Sequence, residues 1–354
     1  MMSQMSLISS PPRDRPAART APVGARLGGA ARTGPGKGPH GRRAHRRSVL
    51  AACVVVFSVL LSAVLLFHRA IPDVAGVGLL VDSVAPWFGL FIPVLAAFAL
   101  ISRYRRTLVG VLVPVVIWAL LFGPGILPLQ ADAPTPAAAA GATGQLSVAS
   151  QNIEASSGTG DISARALAAT GADVIALEEM TSDDFDAISA TLAAKYPYSY
   201  GVGTVGLWST YPVVNAQPLT LGLGWNRALA ADLETPQGLV SIYVIHAASA
   251  RPGDVSARDS MLTALADTLP NDENERIIAV GDFNAASTDR SLSGIDSQLS
   301  EPNQTGGMFG NTWPSNLPVT RLDHLFQRGM TATSNTTFSA GASDHRAILT
   351  TLAL

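Results

Sequence analysis

The sequence predicts an α+β chain in two unequal parts: an all-α membrane region of three transmembrane helices, and behind it a layered domain of strands and helices. Three observations carry this. Three apolar runs fall between residues 49 and 129, each close to the roughly 20 residues a helix needs to cross a bilayer. From residue 145 onward, short apolar runs of strand length alternate with turn residues and a few helical stretches, the pattern of a layered α+β domain. Polar residues with chemical capacity recur at the ends of those strand-like runs.

The charge is divided in the same place. Residues 1–106 carry 14 Lys and Arg against 3 Asp and Glu, while residues 107–354 carry 10 against 23, so +11 and −13 sum to the formal −2. A nonspecific electrostatic grip on nucleic acid comes from Lys and Arg, so the acidic part is poorly suited to one and better suited to binding cations. The single cysteine, Cys53, excludes a disulfide within the chain and a cysteine metal site.

Residues 1–48 are rich in Pro, Gly, Ala and Arg and almost free of large apolar residues. Such a segment buries too little surface to offset its ordering entropy and is expected to be a disordered basic tail. The apolar runs follow at about 49–67, 84–101 and 108–129. Pro86, Pro93 and Pro114 fall inside the last two, which membrane helices tolerate better than soluble ones. The long leader, with no small-x-small site after Phe67, argues for a retained anchor rather than a cleaved signal. Arg42, Arg43, Arg46 and Arg47 precede the first run, and Arg103, Arg105 and Arg106 separate the second from the third. The positive-inside rule puts both clusters in the cytoplasm and everything after about residue 130 outside it. Residues 131–144 read as a small-residue Ala/Pro linker.

In the remaining domain, 145–354, the central stretch is Arg276-Ile-Ile-Ala-Val-Gly-Asp-Phe-Asn-Ala285. Ile277 to Val280 reads as a buried strand. With a period of 2 continuing beyond it, Asp282 and Asn284 point the same way. A carboxylate beside an amide suits phosphoester chemistry, since one takes a proton or a cation while the other donates hydrogen bonds; an Asp-Phe-Asn turn is the plain alternative. Other candidates close their own strands. Asn152 follows Leu146–Ser150, Glu179 follows Asp173–Leu177, and His246 follows Leu239–Ile245. Asp323 lies in Arg321-Leu-Asp323, and Asp344 and His345 precede the final strand at Arg346–Leu352. Helices are expected at Ser163–Thr170, from Thr181, and at Ser256–Leu269.

Taken together and in this order, Gln151-Asn152, Asp173-Val-Ile-Ala-Leu-Glu-Glu179, His246, Gly281-Asp-Phe-Asn284, Arg321-Leu-Asp323 and Ser343-Asp-His345 resemble the endonuclease/exonuclease/phosphatase superfamily over residues 145–354. The resemblance implies a two-sheet β-sandwich flanked by helices, a four-layer αββα arrangement, and cleavage of phosphoesters with Mg²⁺ or Mn²⁺. By position it gives Glu179 the metal, with Asn152 and Asp344 nearby. It implies that Asp282 orients or deprotonates the attacking water, Asn284 helps bind phosphate, His345 binds or protonates the transferring group, Asp323 fixes that ring, and His246 meets the phosphate from the other side. The family often has Gln before the metal Glu; here Glu178 stands there, which leaves a shift of one residue open.

The expected activity is therefore that of a membrane-anchored, extracytoplasmic phosphoesterase acting on nucleic acid, a lipid headgroup or a small phosphate ester, with the bilayer as its other contact and no protein partner indicated. A catalytically inactive, tethered binding module of the same fold is the alternative. A transporter is a third reading, for which helices without central charges offer little.

Overall fold

The computed structural model describes residues 39–129 and 144–354. Residues 1–38 of the tail and nearly all of the expected linker lie outside the described residues. The first helix, α1 (Pro39–Phe67), begins well ahead of its apolar run and takes in the four arginines from Arg42 to Arg47. Residues 39–48 are therefore helical rather than disordered. Once an apolar run has nucleated a helix, extending it through Arg and Ala costs little.

Three helical segments are long and apolar enough to cross a membrane, at 42–70, 77–102 and 105–126. The second is composite: α2 (Val77–Val84), a 3₁₀ stretch at Ala85–Leu90, then α3 (Phe91–Ser102). It starts ahead of the expected 84 because Asp82, a charge within the run, is taken up by partners described below. Helix α4 (Arg105–Ile126) keeps Pro114 and Pro124 inside it.

The remaining residues form two mixed sheets. In the first, the strands are β1 (Gln145–Asn152), β2 (Val174–Glu178), β3 (Tyr198–Val202), β4 (Val205–Ser209), β10 (Thr331–Phe338) and β11 (Ala347–Ala353), in the order β10-β11-β1-β2-β4-β3. In the second they are β5 (Val213–Leu219), β6 (Ala228–Thr235), β7 (Gly238–His246), β8 (Arg276–Asp282) and β9 (Asp323–Arg328), in chain order. Each sheet contains one parallel pair, β1 with β2 and β7 with β8, and all other neighbours run antiparallel.

Strand alternation explains the layers. Val148, Val174, Ala176 and Leu207 face Ile242, Val244, Ile278 and Val280 between the sheets. The intervening residues Ala149, Ile175 and Leu177 look outward, where α5 (Gly160–Ala169) and α6 (Ser182–Leu192) cover them with Leu167 and Ile188. On the far face, Met261, Leu262 and Leu265 of α7 (Ser256–Thr268) cover Ile245, Ile277 and Ala279. Central strands buried on both faces read as continuous apolar runs, which is why they stand out in the sequence. Thr181 starts α6 with a reciprocal capping box, its hydroxyl accepting from Asp184 N–H while the Asp184 carboxylate accepts from Thr181 N–H. Strands β3 and β9 were not expected: β3 lies at an edge of its sheet and is only partly covered, and β9 carries a buried His and Asp.

Candidate active site

The two parallel pairs place the candidates. Asn152, the last residue of β1, is in register with Glu178, and His246, the last of β7, with Asp282. Asp282 is also level with Asp323 at the head of β9. One end of each sheet thus carries its polar residues, and the two ends meet at a cleft of about 710 Å³ lined by Asn152, Glu179, His246, Asp282, Asn284, Asp344 and His345.

The crossing of β7 and β8 depends on Gly281, whose φ is +131°. A Cβ there would lie 2.2 Å from the Ile245 carbonyl oxygen, so only glycine permits this approach. Immediately beyond, the chain departs from expectation. Asn284 has φ +47°, so it does not continue the strand. Asp282 Oδ1 accepts from the Asn284 backbone N–H at 2.8 Å, and Oδ2 accepts from the Asn284 side-chain amide at 3.1 Å. The two side chains meet through an Asx turn rather than a shared strand face, because the local hydrogen bond outweighs further extension.

Glu179 and Glu178 part company at the end of β2. Glu179 has φ +60° and is half-exposed in the cleft, its Oε2 4.0 Å from His246 Nε2 and accepting from the Asn152 amide at 2.9 Å. Glu178 is fully buried, accepts from Ser150 Oγ at 3.0 Å, and leaves its Oε2 without a partner among the described residues. Burial pushes its carboxyl well up, and Asp323 adds to the rise. Asn152 spans the site: its amide also donates to Asp282 Oδ2 at 3.0 Å, while its oxygen accepts from the Glu154 N–H at 2.9 Å.

Asp282 is buried on all sides. Burial raises its carboxyl to about 6, His345 opposing the rise and Asp323 adding to it. His345 behaves oppositely. Burial alone would lower it, but Asp323, Asp282 and Asp344 outweigh that and lift it to about 10. It is therefore an imidazolium at neutral pH, its Nδ1–H donating to Asp323 Oδ2 at 2.9 Å. Ser343 holds the loop, with its hydroxyl donating to the Asn152 carbonyl at 2.7 Å and accepting from His345 N–H at 3.0 Å. Asp344 is half-exposed; its Oδ2 accepts from Trp313 Nε1 at 3.0 Å and its Oδ1 lies 3.9 Å from His345 Nε2.

His246 is neutral. Burial, joined by the neighbouring Arg227 and His345, lowers it to about 3. Arg227 can only donate, so His246 Nε2 accepts from its guanidinium and Nδ1–H donates to Thr204 Oγ1 at 2.8 Å. Arg227 was missed from the sequence; its signal was a lone Arg heading an apolar strand in an acidic region. Arg258 was missed too: it is buried on α7, donates to the Asn284 carbonyl at 2.8 Å and pairs with Asp289 at 2.9 Å. It supports the Asp282–Asn284 turn from below. His324 lies between Glu301 and the Ala285 carbonyl at 2.9 Å each.

Two groupings could be considered for a metal. Asp282, Asp323 and His345 offer ligand atoms within 4.8 Å of one another. With His345 cationic and its Nδ1–H engaged by Asp323, this trio fits a cation poorly. The cleft side of Glu179, with Asp344 at the same opening, presents half-exposed carboxylate oxygens, the donor type that suits Mg²⁺.

Among solved structures, the chain is similar to D. rerio TDP2 humanized by 14 mutations, at 17% identity and a TM-score of 0.51, covering 59% of this chain and 98% of that one. Sphingomyelinase C from Streptomyces griseocarneus matches at 19% identity and TM-score 0.47, covering 59% and 99%. Beta toxin from Staphylococcus aureus, with bound magnesium ions, matches at 15% and 0.47, covering 58% and 99%. No curated protein matches the chain. The two sheets with helices on their outer faces are the fold shared with the TDP2 structure. The endonuclease/exonuclease/phosphatase family model matches residues 149–345, more than half of the chain, and the chain belongs to that family.

Proposed function

We propose that this chain is a membrane-anchored phosphoesterase that needs Mg²⁺ or Mn²⁺ and whose catalytic domain lies outside the cytoplasm. The observation that carries the chemistry is the convergence of the β1–β2 and β7–β8 ends on one cleft, where a buried carboxylate near neutrality, Asp282, faces a buried imidazolium, His345.

Asp282, raised to about 6, is mostly ionised at neutral pH yet basic enough to take a proton from an attacking water. Asn284 and Asn152 hold its two oxygens in place; the Asn284 side-chain amide, which donates to Asp282 Oδ2 and to the Ala247 carbonyl at 3.0 Å, would turn from these to bind phosphate. His345 donates from Nε2 to a phosphoryl or leaving oxygen as negative charge grows there, and Asp323 keeps the ring charged and oriented. His246, neutral and hydrogen-bonded to Arg227, would meet the phosphate from the other side of the cleft. Glu179 and Asp344 would hold the metal, and Asn152 would add its oxygen if its amide turned. When bound, the ion supplies Lewis-acid stabilisation of phosphoryl charge.

The arginine distribution supports the placement. Arg42 to Arg47 lie at the start of α1 and Arg103 to Arg106 at the α3–α4 turn, whereas the catalytic domain meets the opposite ends: Arg69, just after α1, donates to the Thr288 carbonyl, and Met308 N–H donates to the Ile126 carbonyl at the end of α4.

The test is hydrolysis of bis-p-nitrophenyl phosphate and p-nitrophenyl phosphate by the full chain in detergent, with Mg²⁺, with Mn²⁺ and with EDTA. Cleavage of either ester that EDTA abolishes and added metal restores is expected. Undiminished cleavage in EDTA, or none with any divalent ion, would overturn the reading.

A further inference from the structure

One wall of the catalytic cleft is not made by the catalytic domain. Leu79, Leu80 and Val84, from α2 at the head of the second membrane segment, line the same cavity as Glu179 and His345. Trp313 and Val319 continue the apolar lining from the catalytic side. The cleft is thus two-sided, with carboxylates, amides and histidines at one end and hydrocarbon at the other.

The wall is tied down. Asp82, buried on α2, receives Arg290 Nε at 2.7 Å, while the other guanidinium nitrogens of Arg290 donate to the Ile71 carbonyl at 2.6 Å and the His68 carbonyl at 3.1 Å. Trp87 Nε1 donates to the Val319 carbonyl at 2.7 Å. Gly76, with φ +84°, lies so close to Pro252 that a Cβ would approach it to 2.3 Å. Residues from both sides are locked together at the point where the chain passes into α3. Yet Leu80 stays 61% exposed, and the lining residues Trp313 and Val319 are 38% and 39% exposed. Exposed apolar surface of this kind beside a polar site marks a surface made to be covered.

Resting on the phosphoesterase reading, we propose that α2 is a specificity wall and that the substrate is a phosphoester lipid of the bilayer, its phosphate at Glu179 and His345 and its glyceride or first methylenes against Leu79, Leu80 and Val84. The location supports this occupant, because the wall leads directly into a membrane helix and places the cleft at the bilayer surface. The charge supports it as well: residues 107–354 carry −13, which disfavours a polynucleotide whose many phosphates need many cations, whereas a single headgroup phosphate needs only the site itself.

The experiment uses the full chain in nanodiscs of phosphatidylcholine and phosphatidylglycerol, scored for released headgroup phosphate esters, in parallel with bis-p-nitrophenyl phosphate and a single-stranded DNA oligonucleotide. Lipid cleavage exceeding DNA cleavage is expected. Leu80→Asp and Leu80→Ala should each lower the ratio of lipid to soluble-ester hydrolysis, the aspartate by about tenfold or more, the scale on which apolar pocket contacts discriminate. Because the readout is a ratio, a general loss of folded protein cancels. Soluble-ester cleavage with intact lipid, DNA cleaved in preference to lipid, or an unchanged ratio in both variants would overturn this proposal alone. No cleavage of lipid, soluble ester or DNA with any divalent ion would overturn the phosphoesterase reading and this one with it.

Discussion

His345 and Asp323 form a buried pair that joins the two sheets, Nδ1 to Oδ2 at 2.9 Å, the histidine leading into β11 of the first sheet and the aspartate opening β9 of the second. Because Asp323 Oδ1 has no partner among the described residues, the pairing of Oδ2 with His345 is its main compensation for burial. His345→Ala should lower kcat by about 100- to 1,000-fold, the usual cost of one lost donor to developing charge. Asp323→Asn should cost less, since the ring remains. It should also bring the alkaline limb of the pH–rate profile down from the region of 10, because the carboxylate is what lifts His345. An alkaline limb unmoved in Asp323→Asn would show that His345 does not set it.

The two adjacent glutamates should separate cleanly. Glu179→Gln removes a half-exposed carboxylate from the cleft and should raise the metal concentration needed for half-maximal rate while lowering the rate. Glu178→Gln should leave kcat near wild type. Its effect belongs to stability: a carboxyl whose folded pKa is raised binds its proton more tightly when folded, so stability falls as pH rises above the ordinary 4.5. Glu178→Gln removes that penalty, and thermal unfolding should show it gaining on wild type between pH 5 and pH 8. Loss of activity in Glu178→Gln with activity kept in Glu179→Gln would mean that the inner glutamate is the metal ligand.

Acid stability should depend on Glu301. Burial would raise its carboxyl, but Arg321 and His324 outweigh it and hold it at about 2, against an ordinary 4.5. A depressed folded pKa gives stability that is present above 4.5 and lost as pH falls toward 2, on the order of 3 kcal/mol for a shift of this size. Glu301→Gln should therefore be less stable than wild type at pH 7, with the gap narrowing as pH drops from 4.5 to 2. Parallel denaturation curves for the two proteins across that range would refute the assignment.

The membrane orientation can be read directly. In intact cells carrying an N-terminal tag, added protease should remove the catalytic domain and leave the tag protected. A protected domain with an accessible tag would invert the orientation drawn from the arginines.

The sequence by itself determined the three apolar helices, the central strands and the identity of the residues that end them. These are local patterns: a strand buried on both faces must be apolar throughout, and the candidate site residues stand where those runs stop. The Asp282–Asn284 turn was half legible, its residues plain but its αL geometry hidden in a hydrogen bond that a strand period does not encode. Strand β9 was not legible, because Asp323 and His324 are buried in pairings with His345 and Glu301, and a buried polar residue looks like a loop until its partner is known. Tertiary structure alone decided which glutamate faces the cleft, since Glu178 and Glu179 differ only by a backbone turn at φ +60°. It also decided that burial, with Arg227 at its Nε2, keeps His246 uncharged, and that α2 lines the cleft, tied down through Asp82 and Arg290. Those contacts link residues 19 and 208 positions apart, and no periodicity within one segment can report what a distant segment brings to it.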